Sequence, residues 1–227
     1  MEPITIAIGG VVVVVSALVA AVSKRNKKIR ELLDSNERYN VAIEGYAKTY
    51  AFEPCDTKMI GDCQKCLRSF FPEFPKGIEA KFEKCDSPEK RQQLACDIVE
   101  QLCKTMKLDD VVVELEVMDA CHCGYAFQSD DGSLAIHLNV SYVYADPVQI
   151  ISTICHELRH CVQFKSLDND VWGFTDTKKA QWMYNIKNYV NLDGANIGMS
   201  YGAYRNQPIE TDANEFTYAV FGKKEGE

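Results

Sequence analysis

The stretch PVQIISTICHELRHCVQF, residues 147–164, decides the fold because it combines one helical pattern with two histidines. Its apolar residues recur at helical spacing, at positions 148, 151, 154, 158 and 162. Such spacing lines them up on one face, which is typical of a helix packed on a core. Asp146 and Pro147 form a helix start, since aspartate caps the first turn and proline fits the first helical position. The sequence therefore predicts a core helix over residues 148–164.

Two histidines on this helix have the spacing of metal ligands. His156 and His160 are four residues apart, which brings their side chains onto nearly one face, one turn apart. Two neutral imidazoles in that arrangement can bind one zinc ion. Glu157 lies roughly 100° round the helix, where its carboxylate can reach a water at the metal without becoming a ligand. The motif predicts a zinc site with a general base beside it.

A catalytic zinc site takes a third protein ligand and keeps one position for water. No histidine follows His160, so the third ligand must be a carboxylate or a cysteine. Glu210 is the best candidate, because Pro208 begins a predicted helix and places Glu210 in its first turn. Asn214, one turn further, could orient a histidine ligand by a hydrogen bond. Alternatively, Glu210 and Asp212 only complement the positive end of the helix dipole.

The elements around these motifs predict an α+β fold. They follow in the order of a helix from Ser87, strands over residues 111–118, 125–128 and 134–143, the metal helix, and helices over residues 175–189 and 208–221. The second and third strands are joined at Asp130-Asp131-Gly132, a hairpin signal. This order predicts a small, mostly antiparallel sheet arranged as a meander and followed by the metal helix and a C-terminal helix.

The N-terminal segment has the length of a membrane span. Residues 4–22 carry no charge, and a helix of that length reaches about 28 Å, close to one hydrocarbon core. Five basic residues follow within residues 24–30, whereas only Glu2 precedes the run. A buried core helix would need a polar face, and a signal peptide would want its basic stretch in front. Residues 1–23 are expected to form a single-pass membrane anchor, with the remainder in the cytoplasm by the positive-inside rule.

The segment between the anchor and Ser87 is less regular. Residues 24–52 predict juxtamembrane helices, and residues 53–77, with three prolines and two glycines, predict a loop-rich connector with one short helix. The expected division is an anchor over residues 1–23, a connector with several cysteines over residues 24–86, and a catalytic domain over residues 87–227.

Charge and cysteine content limit the partners and the compartment. Without residues 1–30 the chain has 20 Lys+Arg and 32 Asp+Glu, a net charge of −12, which argues against nucleic acid as a partner. The 10 cysteines would be mostly thiols in the cytoplasm, whereas the opposite orientation, which stays open, would favour disulfides. A second, structural zinc site is an alternative for Cys63-x-x-Cys66 or for Cys121-His122-Cys123, with buried thiols or disulfides as the default.

Residues 87–221 resemble the gluzincin branch of the zincin metallopeptidases. The motifs that carry the resemblance are His156-Glu157-Leu158-Arg159-His160 and ETDANEF, residues 210–216, which match H-E-x-x-H and E-x-x-A-[N/D]-x-F. The resemblance implies a zincin-like fold, Zn²⁺ held by His156, His160 and Glu210, and Glu157 as the general base. One departure is Arg159, because the family usually has an uncharged residue there.

The resemblance also implies a function and a substrate class. The chain is expected to be a membrane-anchored zinc metallopeptidase acting on a protein or peptide, with the strand at residues 134–143 along the cleft pairing with the substrate backbone. An oxyanion needs a donor, for which Tyr204 is the first candidate and Tyr201 and Arg205 are the others. Two alternatives are a zinc hydrolase of non-peptide amides and a catalytically silent scaffold stabilised by zinc.

Overall fold

The computed structural model describes most of the chain beyond residue 48. The described residues are Lys24, Lys27, Lys28, Gly45, Tyr46 and residues 49–119, 122–189 and 201–222. The expected membrane anchor, residues 1–23, lies outside the described residues, so the anchor stays a prediction from the sequence. Within the described ranges, no helix is long and apolar enough to cross a membrane.

The secondary structure is mixed, with many helices and one small sheet. From Pro54 onward the helices are α1 Pro54–Phe70, α2 Gly77–Glu83, α3 Pro88–Met106, α4 Val140–Ala145, α5 Pro147–Asp168, α6 Asp176–Lys187, α7 Tyr201–Asn206 and α8 Pro208–Phe221. The strands are β1 Val111–Glu116, β2 Gly124–Gln128 and β3 Leu134–Asn139. The α+β class is therefore confirmed, with helix as the larger part.

Helix α5 lies at the centre of the fold and carries both histidines. Asp146 caps it by accepting a hydrogen bond from the backbone N–H of Gln149 at 2.9 Å, as the sequence predicts. The helix continues past the expected end at residue 164 to Asp168. Ile154 and Leu158 are fully buried where the helix packs against the sheet, α3 and α8. This packing holds the histidines on a rigid element.

The sheet has the strand order β1-β3-β2, so the expected meander is wrong. Strand β3 lies in the middle, antiparallel to β2 and parallel to β1, and the sheet is not mostly antiparallel. The chain between β1 and β2 therefore crosses the end of β3. The buried side chain of Asn139 holds this crossing by donating to the carbonyl oxygens of Met118, Asp119 and His122 at 2.8–3.3 Å. Asn139 also caps α4, which ends β3 before the expected residue 143.

Strand β2, and not β3, forms the edge of the sheet beside α5. Both edges of β3 are paired, so it cannot add a substrate strand as expected. In the antiparallel ladder, backbone bonds join Cys123 to Asn139 and Ser129 to Ser133. Because bonded positions alternate along such a ladder, the N–H and C=O groups of the intervening residue 126 point to the free edge, which is the edge of β2 that no described strand pairs.

Gly124 lets this edge strand approach helix α5 closely. A Cβ at this position would lie 2.7 Å from the carbonyl oxygen of His137 and 2.9 Å from Cγ2 of Thr153 on α5. Both separations are far inside van der Waals contact, so only glycine fits without a shift of the strand.

Helix α1 replaces most of the loop that the sequence indicates over residues 53–77. Pro54 occupies the first turn, and the Asp56 side chain accepts from the backbone N–H of Glu53 at 2.8 Å. Met59, Cys63 and Leu67 recur every fourth position and are buried, each at 1% exposure or less. The prolines and glycines concealed this apolar face. Helices α1 and α2 contribute to the same hydrophobic core as α3, α5 and α8.

Candidate metal centre

Three potential metal ligands converge between α5 and α8. The Nε2 atoms of His156 and His160 lie 3.1 Å apart. The carboxylate of Glu210 lies 3.3 Å from His156 Nε2 through one oxygen and 3.5 Å from His160 Nε2 through the other. All three donor atoms fall within 4.8 Å of one another. The residues that the sequence proposed as ligands are thus brought together.

The donor set fits one zinc ion. Ligand atoms about 2.0–2.1 Å from a tetrahedral zinc lie roughly 3.3–3.4 Å from one another. The separations of 3.1 Å between the two Nε2 atoms, and of 3.3 and 3.5 Å to the two different carboxylate oxygens of Glu210, are close to that value. Two imidazoles and one carboxylate are also a known ligand set of catalytic zinc, which leaves a position open.

The Glu210 side chain is buried, and its surroundings favour the ionised carboxylate. Its exposure is 3%, and Tyr189 donates its hydroxyl to Oε1 of Glu210 at 2.6 Å. Burial alone would raise the pKa of Glu210, but the neighbouring His160 and His156 keep it well below its usual range. For His160, burial lowers the pKa, whereas Glu210 outweighs this and raises it to about 9. Tyr189 was not singled out from the sequence, because only the fold brings it to Glu210.

Gln163 orients His160, a role that the sequence assigned to Asn214. The side-chain nitrogen of Gln163 donates to Asp212 Oδ2 at 2.7 Å and to the Ile209 carbonyl at 2.9 Å. Its oxygen is therefore left as an acceptor, 2.7 Å from Nδ1 of His160. The proton of neutral His160 then resides on Nδ1, which leaves Nε2 available to a metal. Its position three residues after His160 on the same helix is the signal that could have revealed Gln163.

Glu157 lies next to the ligands without joining them. Its side chain is 7% exposed and lines the same cleft as His156 and His160. Burial raises the pKa of Glu157, which makes its carboxylate a better proton acceptor. The backbone N–H of Ala126 on β2 forms a hydrogen bond with this carboxylate and connects it to the edge strand.

Arg159 forms part of a buried charge cluster, defined as Arg159, Asp212, Asp56 and Lys178. All four side chains are 5% exposed or less. Arg159 donates to Asp212 at 2.7 and 2.9 Å and to Asp56 at 2.6 Å. Lys178 Nζ lies 2.6 Å from Asp56 and 2.8 Å from Asp212. Two cations and two carboxylates balance, which explains how a charged residue is tolerated within the motif.

The cluster is also packed among aromatic rings and reaches the metal centre. The Arg159 guanidinium lies 5.0 Å from the ring centroids of Phe174 and Phe216 and 5.5 Å from that of Trp182. Burial would raise the pKa of Asp212, but Arg159 and Lys178 hold it well below its usual range. Asp212 is therefore not merely a dipole partner of its helix, since it bonds to Arg159 and Gln163.

Tyr204, the first oxyanion candidate from the sequence, lies beside the candidate metal centre. Its surroundings differ from those of Tyr201 and Arg205, the other two candidates. It lines the cleft together with Glu157 and Glu210, and burial raises its pKa well above the usual range, so its hydroxyl keeps its proton. Tyr201 is 63% exposed. Arg205 donates to the hydroxyl of Tyr218 and lines a cavity that His156 also borders.

Two cavities meet at the candidate metal centre and share His156, Glu157, Tyr204 and Glu210. We call them the apolar cavity and the polar cavity. The apolar cavity, of about 320 Å³, is walled by Phe164, Ile186 and Ile209. The polar cavity, of about 310 Å³, is walled by polar side chains from α5, α7 and α8, among them Gln149, Ser152, Arg205 and Asn214. Together they form a cleft that continues across the site.

The cysteines give no sign of a second metal centre in the described part of the chain. Nine of them, all but Cys121, are described and are free thiols. Cys155 and Cys161, both on α5, are buried. Among the described residues, the three ligands above form the group that could hold a metal ion.

Comparison with known proteins adds no relative. No protein-family model, curated protein or solved structure matches this chain. What the site can do therefore follows from its own geometry and chemistry.

Proposed function

We propose that this protein is a zinc-dependent peptidase whose catalytic centre is formed by His156, His160 and Glu210. The observation that carries the proposal is the convergence of two Nε2 atoms and one carboxylate at 3.1–3.5 Å, with a fourth group, Glu157, beside them. Three ligands with an adjacent base are the arrangement of a catalytic zinc site, whereas a structural site takes four protein ligands.

Glu157 is the general base and proton carrier of this proposal. Zinc, when bound, would polarise the scissile carbonyl and acidify the attacking water. Glu157 accepts the proton of that water, because burial raises the pKa of its carboxyl toward the range of an efficient base. The same carboxyl then gives the proton to the leaving amine.

Tyr204 is the proposed oxyanion donor. Its hydroxyl remains protonated because burial raises its pKa, and it lines the cleft with Glu157 and Glu210. A donor of this kind contributes most where charge develops in the transition state. The ring centroids of Tyr189 and Tyr204 lie 6.1 Å apart. The Tyr189 hydroxyl is already donated to Glu210, so Tyr189 supports this proposed zinc ligand and is not the oxyanion donor.

A peptide is favoured over a small amide by the shape of the cleft. The cavities extend on both sides of the centre, and the free edge of β2 runs along it. The outward backbone groups of β2, other than the Ala126 N–H that bonds to Glu157, can pair with an extended backbone, as in strand addition. A small amide would occupy neither the full length of the cleft nor the edge of β2.

Hydrolysis and zinc content measured on the same protein test this function. The full-length protein is loaded with one equivalent of zinc and assayed against a peptide library and a set of N-acyl amides. Glu157→Gln is expected to keep its zinc and to lose hydrolysis by at least ~100-fold. Glu100→Gln, an exposed residue on α3, is the matched control and keeps both. Cleavage of the N-acyl amides without cleavage of peptides would favour a zinc hydrolase of non-peptide amides. Zinc binding without any hydrolysis would favour a catalytically silent scaffold.

A further inference from the structure

The two cavities differ in chemistry, and they lie where the residues flanking a scissile bond would sit. Phe164 and Ile186 wall the apolar cavity, whereas Gln149 and Ser152 wall the polar one. Because His156, Glu157, Tyr204 and Glu210 border both cavities, a bond cleaved there has its neighbouring side chains directed to opposite surroundings. The cleft therefore selects on both sides of the bond.

Arg205 sets the charge of the polar cavity. Of the described residues that line it, Arg205 is the single arginine or lysine. With zinc bound, the charges of Glu157 and Glu210 would be balanced, and Arg205 would be the cationic side chain among the described residues of this wall. A guanidinium suits a carboxylate because it offers paired N–H donors, and the bond from Arg205 to the Tyr218 hydroxyl fixes it on the wall. The negative net charge of the chain acts at longer range and is screened beyond about 8 Å.

The direction of strand β2 gives the order of the two preferences. Cys123, just before β2, borders the polar cavity, whereas Tyr125 and Ala126 border the apolar cavity. Antiparallel pairing is the more stable way to add a strand. A substrate strand antiparallel to β2 thus runs from the apolar cavity toward the polar one. Its residue before the scissile bond meets apolar walls, and its carboxyl end meets Arg205.

We infer that the preferred substrate is a peptide with a large apolar residue before the scissile bond and a carboxylate after it, selected by Arg205. The carboxylate comes either from an aspartate or glutamate side chain or from the end of the chain. The inference rests on the proposed function and names its substrate class.

The test compares four peptides that differ only after the scissile bond. They carry leucine before the bond and glutamate, glutamine or lysine after it with both termini blocked, and the fourth ends in glutamine with a free carboxylate. The zinc-loaded full-length protein is expected to show a kcat/KM at least tenfold higher for glutamate than for glutamine, and lowest for lysine. A preference for the free carboxylate alone would assign Arg205 to chain ends.

Variants of Arg205 connect the preference to this residue. Arg205→Gln should reduce the glutamate-to-glutamine ratio of kcat/KM to about one, Arg205→Lys should keep part of it, and Arg205→Glu should shift cleavage toward lysine. An unchanged ratio in Arg205→Gln, or wild-type cleavage that is indifferent to the carboxylate, would overturn the inference and leave the peptidase intact. Failure of the zinc-loaded wild type to cleave any peptide would overturn both. Binding of the four peptides to Glu157→Gln, measured by calorimetry, reports the same preference without turnover.

Discussion

The guanidinium of Arg159 and the carboxylate of Asp212 form a buried two-point ion pair, with nitrogen–oxygen distances of 2.7 and 2.9 Å. Arg159 precedes the proposed ligand His160 on α5, and Asp212 follows the proposed ligand Glu210 by two residues on α8. The pair therefore joins the helix that carries two of the proposed ligands to the helix that carries the third. Through Gln163, Asp212 also reaches the ring of His160.

Arg159→Met should destabilise the zinc-free protein by about 3–5 kcal/mol. The substitution keeps much of the side-chain volume but leaves Asp56 and Asp212 buried with Lys178 as the one cation of the cluster. The free energy of unfolding is measured by urea denaturation. Lys104→Met, which breaks an exposed pair with Glu100, serves as the control and should change stability by less than ~1 kcal/mol. Equal stabilities of the two variants would contradict a structural role for the cluster.

Gln163→Met should weaken zinc binding by roughly 10–100-fold, which is typical for loss of a group that orients a histidine ligand. The reason is that Nδ1 of His160 loses its acceptor at 2.7 Å. Zinc affinity is measured by competition with a chromophoric chelator. Gln93→Met, at an exposed position on α3, is the matched control. If both variants bind zinc as the wild type does, Gln163 does not orient the ligand.

The parts of this site that the sequence could predict are those specified locally. The spacing of His156 and His160 and the capping by Asp146 depend only on helix geometry, and Pro208 begins a helix wherever that helix packs. The contact of Arg159 with Asp56 joins residues 103 positions apart, and nothing local indicates it. The pairing of β1 with β3 is likewise nonlocal. The turn signal between β2 and β3 predicts their hairpin, but it does not indicate which strand pairs with the other edge of β3. Arg159 looked like a departure from the motif since its counterions are visible only in the fold.

The buried thiols should resist alkylation in the folded protein. Burial raises the pKa of Cys103 to about 12 and that of Cys63 well above its usual value, so at pH 8 almost none of either is thiolate. Iodoacetamide labelling followed by mass spectrometry should modify Cys85, which is partly exposed, long before these two. Labelling of Cys103 should accelerate on unfolding in urea. Equal rates for Cys103 and Cys85 in the native protein would contradict this packing.

Membrane attachment through residues 1–23 stays a prediction of the sequence. The full-length protein should remain in the membrane fraction after carbonate extraction, whereas a chain lacking residues 1–23 should not. In intact cells, an external protease should leave residues 87–227 undigested, since the basic residues that follow the expected anchor favour the cytoplasmic side. Digestion by the external protease, with cysteines that are alkylated only after reduction, would show that the orientation is opposite to the one predicted.

Anomalous diffraction at the zinc absorption edge tests the central claim most directly. Crystals of the zinc-loaded protein should show one strong peak, about 2.0–2.1 Å from Nε2 of His156 and of His160 and bonded to a carboxylate oxygen of Glu210. The cleft side of that peak should hold Glu157 at a distance that leaves room for a water. A peak among the cysteines, or no ordered peak between α5 and α8, would contradict the account.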